Sequence, residues 1–187
     1  VSTFSLDSTT GALTFASNVT VPGSYPTSFV KSITIHPSGQ FAYVVDSIAN
    51  SILGFRIDSQ GAFTALKGPG VPAGLSPTSL TFDPSGRFAY VTNNLSHNIS
   101  AYAVDATTGS LSLIVGAPFP VDFGPFAMAF DACGRFAYVV NSESSSISAY
   151  SVNGETGTLT EIKGSPIWKN IPINSNPFLI GAAHFKN

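Results

Sequence analysis

Few side chains in this sequence have the chemistry to act on a ligand, and they fall in two kinds of segment. His97 lies in the polar run Asn93-Asn94-Leu95-Ser96-His97-Asn98, and Glu143 in Asn141-Ser142-Glu143-Ser144-Ser145-Ser146. An imidazole and a carboxylate pass protons to and from water, so these two are the candidate groups for general acid–base work. The second kind of segment is rich in proline and aromatic residues. Gly116 to Gly124 holds Phe119, Asp122 and Phe123, and Gly164 to Asn170 holds Trp168, the only tryptophan. Rings beside a carboxylate make a rim suited to stacking on a sugar ring or holding a peptide. Asn94, His97, Phe119, Asp122, Phe123, Glu143 and Trp168 are accordingly the candidate ligand-binding residues. His97 and Glu143 are the only candidates for catalysis. Solvated loop groups, and rings that plug gaps between packed elements, are the competing reading of the same positions.

Other chemistries find no support. Attack of an activated water on a carbonyl needs hydrogen-bond donors or cations for the oxyanion, yet Arg56 is mid-strand and Arg87 and Arg135 follow tight turns. A sugar-phosphate substrate would want a basic cluster, and none is visible. There is no HExxH, GxSxG, glycine-rich phosphate loop or paired Cys/His set. The turn aspartates match no calcium-loop spacing. No metal and no cofactor is therefore expected. Cys133 is the sole cysteine, so an intrachain disulfide is excluded; it fills a turn slot that Ser38 and Ser85 fill elsewhere.

Net charge is −2 with no basic run, which gives no electrostatic footprint for nucleic acid. No apolar run approaches the ~20 residues of a membrane span. Charged residues make up only 10% of the chain, well below the ~25% of ordinary soluble proteins. Ser, Thr, Asn and Gly supply the polar surface instead, a composition suited to a secreted, extracellular or cell-envelope protein. Asn18-Val19-Thr20, Asn94-Leu95-Ser96 and Asn98-Ile99-Ser100 fit the glycosylation acceptor pattern, which matters only for a secreted eukaryotic product. The chain opens at Val1 without a Met or a signal-peptide pattern, as a processed or partial product would.

The elements that must carry these residues repeat. Phe41-Ala42-Tyr43-Val44-Val45-Asp46, Phe88-Ala89-Tyr90-Val91-Thr92-Asn93 and Phe136-Ala137-Tyr138-Val139-Val140-Asn141 are one segment written three times. A period of roughly 48 residues built from short strands is that of a β-propeller blade. One unit reads as strand Pro77 to Phe82, turn Asp83-Pro84-Ser85-Gly86, strand Phe88 to Thr92, a polar connection, strand Ile99 to Val104, turn Asp105 to Gly109, and strand Leu111 to Val115. The second strand is apolar on both faces and must be covered on both. No helical apolar stripe occurs.

Tyr90-Val91-Thr92-Asn93 is the literal form of the YVTN-type propeller repeat, and the units as a whole resemble the lactonase-type, 6-phosphogluconolactonase-like seven-bladed propellers. The resemblance implies surface-layer and envelope proteins on one side and sugar-lactone enzymes on the other. It would place His, Glu and Arg in the central channel of an enzyme.

The expected architecture is all-β, a propeller of four-stranded antiparallel blades with about four present. A part-blade spans 1–24, blades span 25–70, 71–118 and 119–166, and a part-blade spans 167–187. Val1 to Asp7 aligns with a third strand and Asn176 to Ile180 with a first, so both ends fall mid-blade. The ring closes imperfectly with four blades, or the chain is an arc completed by absent chain or by a second copy. In propellers the second-to-third connection shares a face with the blade crossover, the usual ligand face. His97 stands there opposite Asn50 and Ser145, and Glu143 opposite Ile48 and Leu95. Residues filling one slot in every unit, such as the Phe and Tyr of the second strand, are packing groups. His36, in the slot of Asp83 and Asp131, is read as a backbone-bonding or solvated turn residue. The leading functional expectation is a non-catalytic scaffold that binds protein or carbohydrate. The alternatives are a lactonase-type enzyme and a subunit that self-assembles through open blade edges.

Overall fold

The computed structural model describes residues 2–6, 9–18 and 29–168. Asn176 to Ile180 and Ala183 to Phe185, expected to start a further blade, lie outside them. A hairpin of β1 (Ser2–Leu6) and β2 (Leu13–Asn18) comes first. Three sheets of one design follow. The first holds β3 (Val30–Ile35), β4 (Phe41–Asp46), β5 (Ser51–Ile57), β6 (Phe63–Ala65) and β7 (Val71–Pro72). The second holds β8 (Pro77–Phe82), β9 (Phe88–Asn93), β10 (Asn98–Val104), β11 (Leu111–Leu113) and β12 (Phe119–Pro120). The third holds β13 (Pro125–Phe130), β14 (Phe136–Asn141), β15 (Ser146–Val152), β16 (Leu159–Glu161) and β17 (Ile167–Trp168). All pairings are antiparallel and the described residues contain no helix.

The blade is four strands wide, but its outer position is split. β6 and β7 both pair with β5, at Phe55–Ile57 and at Ser51–Ile52 respectively. The first residues of each crossover thus complete the blade they leave. The sheets run to residues 72, 120 and 168, two beyond the ends expected from the repeat.

Side chains set the turns. Asp83 Oδ1 accepts the Phe88 N–H and Asp131 Oδ1 the Phe136 N–H, each at 2.8 Å. His36 does the job differently: its Nδ1 accepts the Ser38 N–H, and its Nε2 lies 2.8 Å from the Gly86 carbonyl of the next blade. It is buried and backbone-bonded rather than solvated. Asp105 Oδ1 accepts the N–H groups of Thr107 and Thr108 in the third-to-fourth turn.

The core lies between blades. β4 and β9 are buried along their whole length, as double-faced apolar strands require. One cluster joins Phe41, Tyr43 and Val45 to Leu80, Phe82 and Val91; the next joins Phe88 and Tyr90 to Phe130, Val139 and Leu159. Hydroxyls stitch the same junctions. Tyr43 donates to the Gly109 carbonyl and Tyr90 to that of Gly157, each at 2.7 Å. Along the inner edge Thr34 donates to Leu80 O and Thr81 to Met128 O. The innermost strands β3, β8 and β13 therefore stand side by side and line a hollow of about 670 Å³. Because neighbouring strands alternate in direction, second-to-third connections and crossovers emerge at one end, and the other turns at the opposite end.

Candidate functional site

Each second-to-third connection ends on a residue of positive φ: Asn50 at 52°, His97 at 50° and Ser145 at 53°. The side chain in that slot reaches forward to the next crossover. Asn50 Oδ1 accepts the Ser76 N–H at 2.8 Å, and His97 Nδ1 accepts the Gly124 N–H at 3.2 Å. An amide in one blade and an imidazole in the next thus make the same clip. With Nδ1 as acceptor, the neutral ring carries its proton on Nε2.

The crossover Val121-Asp122-Phe123-Gly124 is held from both sides. The second blade contributes the His97 carbonyl, which accepts the Val121 N–H at 3.2 Å, and the His97 ring, whose centroid lies 4.9 Å from that of Phe123 in an edge-on contact. The third blade contributes its serines. Ser142 N–H and Oγ donate to the Gly124 carbonyl, Ser144 N–H and Oγ donate to that of Phe123, and Ser146 Oγ donates to Asp122 Oδ2 at 2.7 Å. The Phe123 N–H donates to Asp122 Oδ1. Burial raises the Asp122 carboxyl, but the bonds from Ser146, Phe123 and Ser144 and the nearby His97 charge outweigh it, and the net shift is downward. Glu143 completes the group. At Gly124, with φ of 67°, an added Cβ would collide with the Glu143 side chain, so the two are in direct contact.

Four of the seven ligand-site candidates therefore gather round one crossover: His97, Asp122, Phe123 and Glu143. Phe123 is 60% exposed and offers an open ring. Asn94 shares the loop of His97, but its N–H donates to Ser76 O in the preceding crossover. Phe119 is not on the rim. It is 8% exposed, pairs with Ile99 through β12 and belongs to the core between the second and third blades. Trp168 pairs with Ser146 through its backbone one blade further on, and its ring lies outside the described side chains. Sequence reasoning missed Ser142, Ser144 and Ser146. Their signal was a hydroxyl at every second position across the connection and into β15. Beneath the site, Asn141 Oδ1 is buried and without a partner among the described residues. Asn93 Oδ1, in the same slot one blade earlier, takes the Gly74 N–H.

The arginines lie at the opposite end. Arg56 donates to Thr107 O at 2.7 Å, and Arg87 to Gly154 O and Glu155 O at 3.3 Å. Arg135 stacks on Phe136. Among the described residues no cluster of three His, Cys, Asp or Glu side chains is placed to hold a metal ion.

Residues 1–123 match the family model described as lactonase, seven-bladed β-propeller. The chain belongs to this lactonase family. The match takes in His97, Asp122 and Phe123 and stops short of Glu143. Solved structures agree with this membership. A candidate 6-phosphogluconolactonase of Bacteroides uniformis superposes with a TM-score of 0.70 at 28% identity, over 86% of this chain and 49% of its own. A second, from Bacteroides fragilis, gives 0.70 at 19% identity over 86% and 46%. A periplasmic gluconolactonase of Pseudomonas aeruginosa gives 0.65 at 22% identity over 87% and 49%. This lactonase-family chain thus spans about half the length of these relatives. No curated protein matches it significantly.

Proposed function

We propose that this chain carries the acid–base groups of a lactone hydrolase that opens an uncharged sugar lactone at the crossover face. The observation that carries the reading is the gathering of His97, Asp122 and Glu143 round Val121 to Gly124 in a chain of the lactonase family. Glu143 takes a proton from water as the water oxygen adds to the lactone carbonyl carbon. The His97 Nε2–H donates to the developing oxyanion. The ring C–O bond then breaks, and the departing oxygen takes the proton back from Glu143, giving the hydroxy acid. Asp122 stays ionised, and the exposed Phe123 ring stacks on the sugar. Two observations favour a neutral substrate over a phosphorylated one. Asp122 and Glu143 make this face acidic, and the guanidinium groups of Arg56, Arg87 and Arg135 lie at the other end.

The decisive comparison uses His97→Asn and Glu143→Gln with D-glucono-1,5-lactone and its 6-phosphate, followed by acid release at constant pH. Asn fills the His97 slot in the first blade with the same positive φ and the same clip, so His97→Asn keeps the fold and removes only the imidazole. Each variant should lose about a hundredfold or more in kcat, the low end of what one proton-transfer group or oxyanion donor supplies. Full activity in both, or no lactonase activity in the unaltered protein, overturns the reading.

A further inference from the structure

The first and second blades are left by crossovers that follow the same path, and only the second fills the space it encloses. In the second blade the path is Ile114-Val115-Gly116-Ala117-Pro118-Phe119, and in the first it is Leu66-Lys67-Gly68-Pro69-Gly70-Val71. Strand register puts Phe119 and Val71 in one slot: Phe119 pairs with Ile99 of β10, and Val71 with Ile52 of β5. The Phe119 ring reaches back to its own crossover, where a Cβ built on Gly116 would meet Phe119 Cε1 at 3.8 Å. A Cβ built on Gly68 meets nothing within 4 Å. Valine has no ring to send there.

A hollow of about 130 Å³ remains between the first two blades. Tyr43, Ile52, Leu66 and Val71 of the first blade and Leu111 of the second line it. The crossover beside it is pinned at both ends. The Leu66 N–H donates to the Gly54 carbonyl at 2.9 Å, and Gly70 lies so close to β5 that an added Cβ would be 3.2 Å from the Ile52 carbonyl oxygen. The hollow is therefore part of the frame rather than slack in a loop. Its size is that of one ring, since an apolar cavity of ~150 Å³ takes up benzene. Lys67 is the one charged residue lining it. Lys67 is exposed, and no carboxylate pairs with it among the described residues.

We propose that this hollow binds a small monocyclic aromatic carboxylate, with its ring in the space that Phe119 fills one blade later and its carboxylate on the Lys67 ammonium. The second junction fixes the shape of the occupant, a single flat ring, and Lys67 fixes its charge. The site shares no residue with the crossover face of His97, Asp122 and Glu143, so it stands apart from the hydrolase reading.

Benzoate and benzyl alcohol, titrated into the full 187-residue chain and followed by amide chemical shifts, test this. Benzoate should shift the Gly68 and Gly70 amides saturably, with a Kd of about 1 mM or below, and benzyl alcohol should bind more weakly. Val71→Phe restores the second blade's ring. It should melt higher than the unaltered protein, because it buries a ring in the hollow, and it should abolish the saturable shifts. Lys67→Gln should weaken benzoate about two- to fivefold, the worth of an exposed ion pair, and leave benzyl alcohol unchanged. Shifts that never saturate, or that survive Val71→Phe, overturn the proposal. So does a Val71→Phe protein that melts earlier, because the hollow then has no room for a ring. Equal affinity for benzoate and benzyl alcohol overturns it too, because the cation then plays no part.

Discussion

His97 and Asn50 solve one backbone problem with different side chains. Both sit at positive φ, and both hold the amide of the following crossover. The imidazole does this while keeping a second nitrogen, which is what makes the position available for chemistry. Asp122 depends on the same clip and shows how finely it is set. Its carboxyl is held below the ordinary carboxylate range, so its ionised form is favoured in the fold over the unfolded chain. The stabilisation is present in full above the unfolded value, near pH 4, and fades as pH falls through the lower folded value. Protection from hydrogen exchange of the Phe123 amide, which donates to Asp122 Oδ1, should therefore fall below pH 4 in the native protein. Asp122→Ala, which has no side-chain acceptor, should already lack that protection at neutral pH and show little further change. Equal protection in both proteins at every pH would remove Asp122 from the clip. His97 and Glu143 stand out in the sequence because each departs from its repeat slot, and Asp122 because it lies beside the crossover rings. Phe119 was misread because its burial follows from pairing with Ile99, and that pairing is set by a two-residue strand too short to leave a pattern.

At the scale of elements, the turns carry the specificity of the fold. The third-to-fourth turn of one blade is the part its neighbour grips, and glycine is there for two reasons at once. Gly109 needs positive φ and must also leave room for the Phe41 ring. Gly116 shares only the first need, since an added Cβ would meet just Phe119 at an ordinary 3.8 Å. Alanine at either position costs about 1–2 kcal/mol for the left-handed backbone. At Gly109 overpacking adds about 1–3 kcal/mol. Urea denaturation should therefore show Gly109→Ala losing clearly more stability than Gly116→Ala. Equal losses would mean that Phe41 moves aside freely and the grip is loose. The strands and their order could be read from period and alternation alone. The division of the outer strand could not, because β6 and β7 are three and two residues long and owe their place to the long β5 that both edges share.

At the scale of the molecule, blades are held by neighbours rather than by a central core, and the tyrosines report on those junctions. Burial pushes the Tyr43 phenol up to about 12 and also raises Tyr90, Tyr102 and Tyr150; the Asp83 charge adds to the shift at Tyr90. Each phenol is a hydrogen-bond donor from one blade to a carbonyl of a neighbouring blade or crossover: Gly109, Gly157, Pro72 and Pro120. A raised phenol favours the fold while it is neutral. Its contribution is complete below the unfolded value near pH 10 and is lost as pH rises through the folded value. Ionising such a group in place would bury a charge and remove the donor, so the junction must open first. The four buried phenols should therefore ionise together with loss of β-sheet, not one by one. An alkaline titration followed in parallel by tyrosinate absorbance and far-ultraviolet circular dichroism should give one shared midpoint above pH 10. If most of the tyrosinate signal develops near pH 10 while the sheet signal stays native, the phenols are accessible and the blades are not sealed by them.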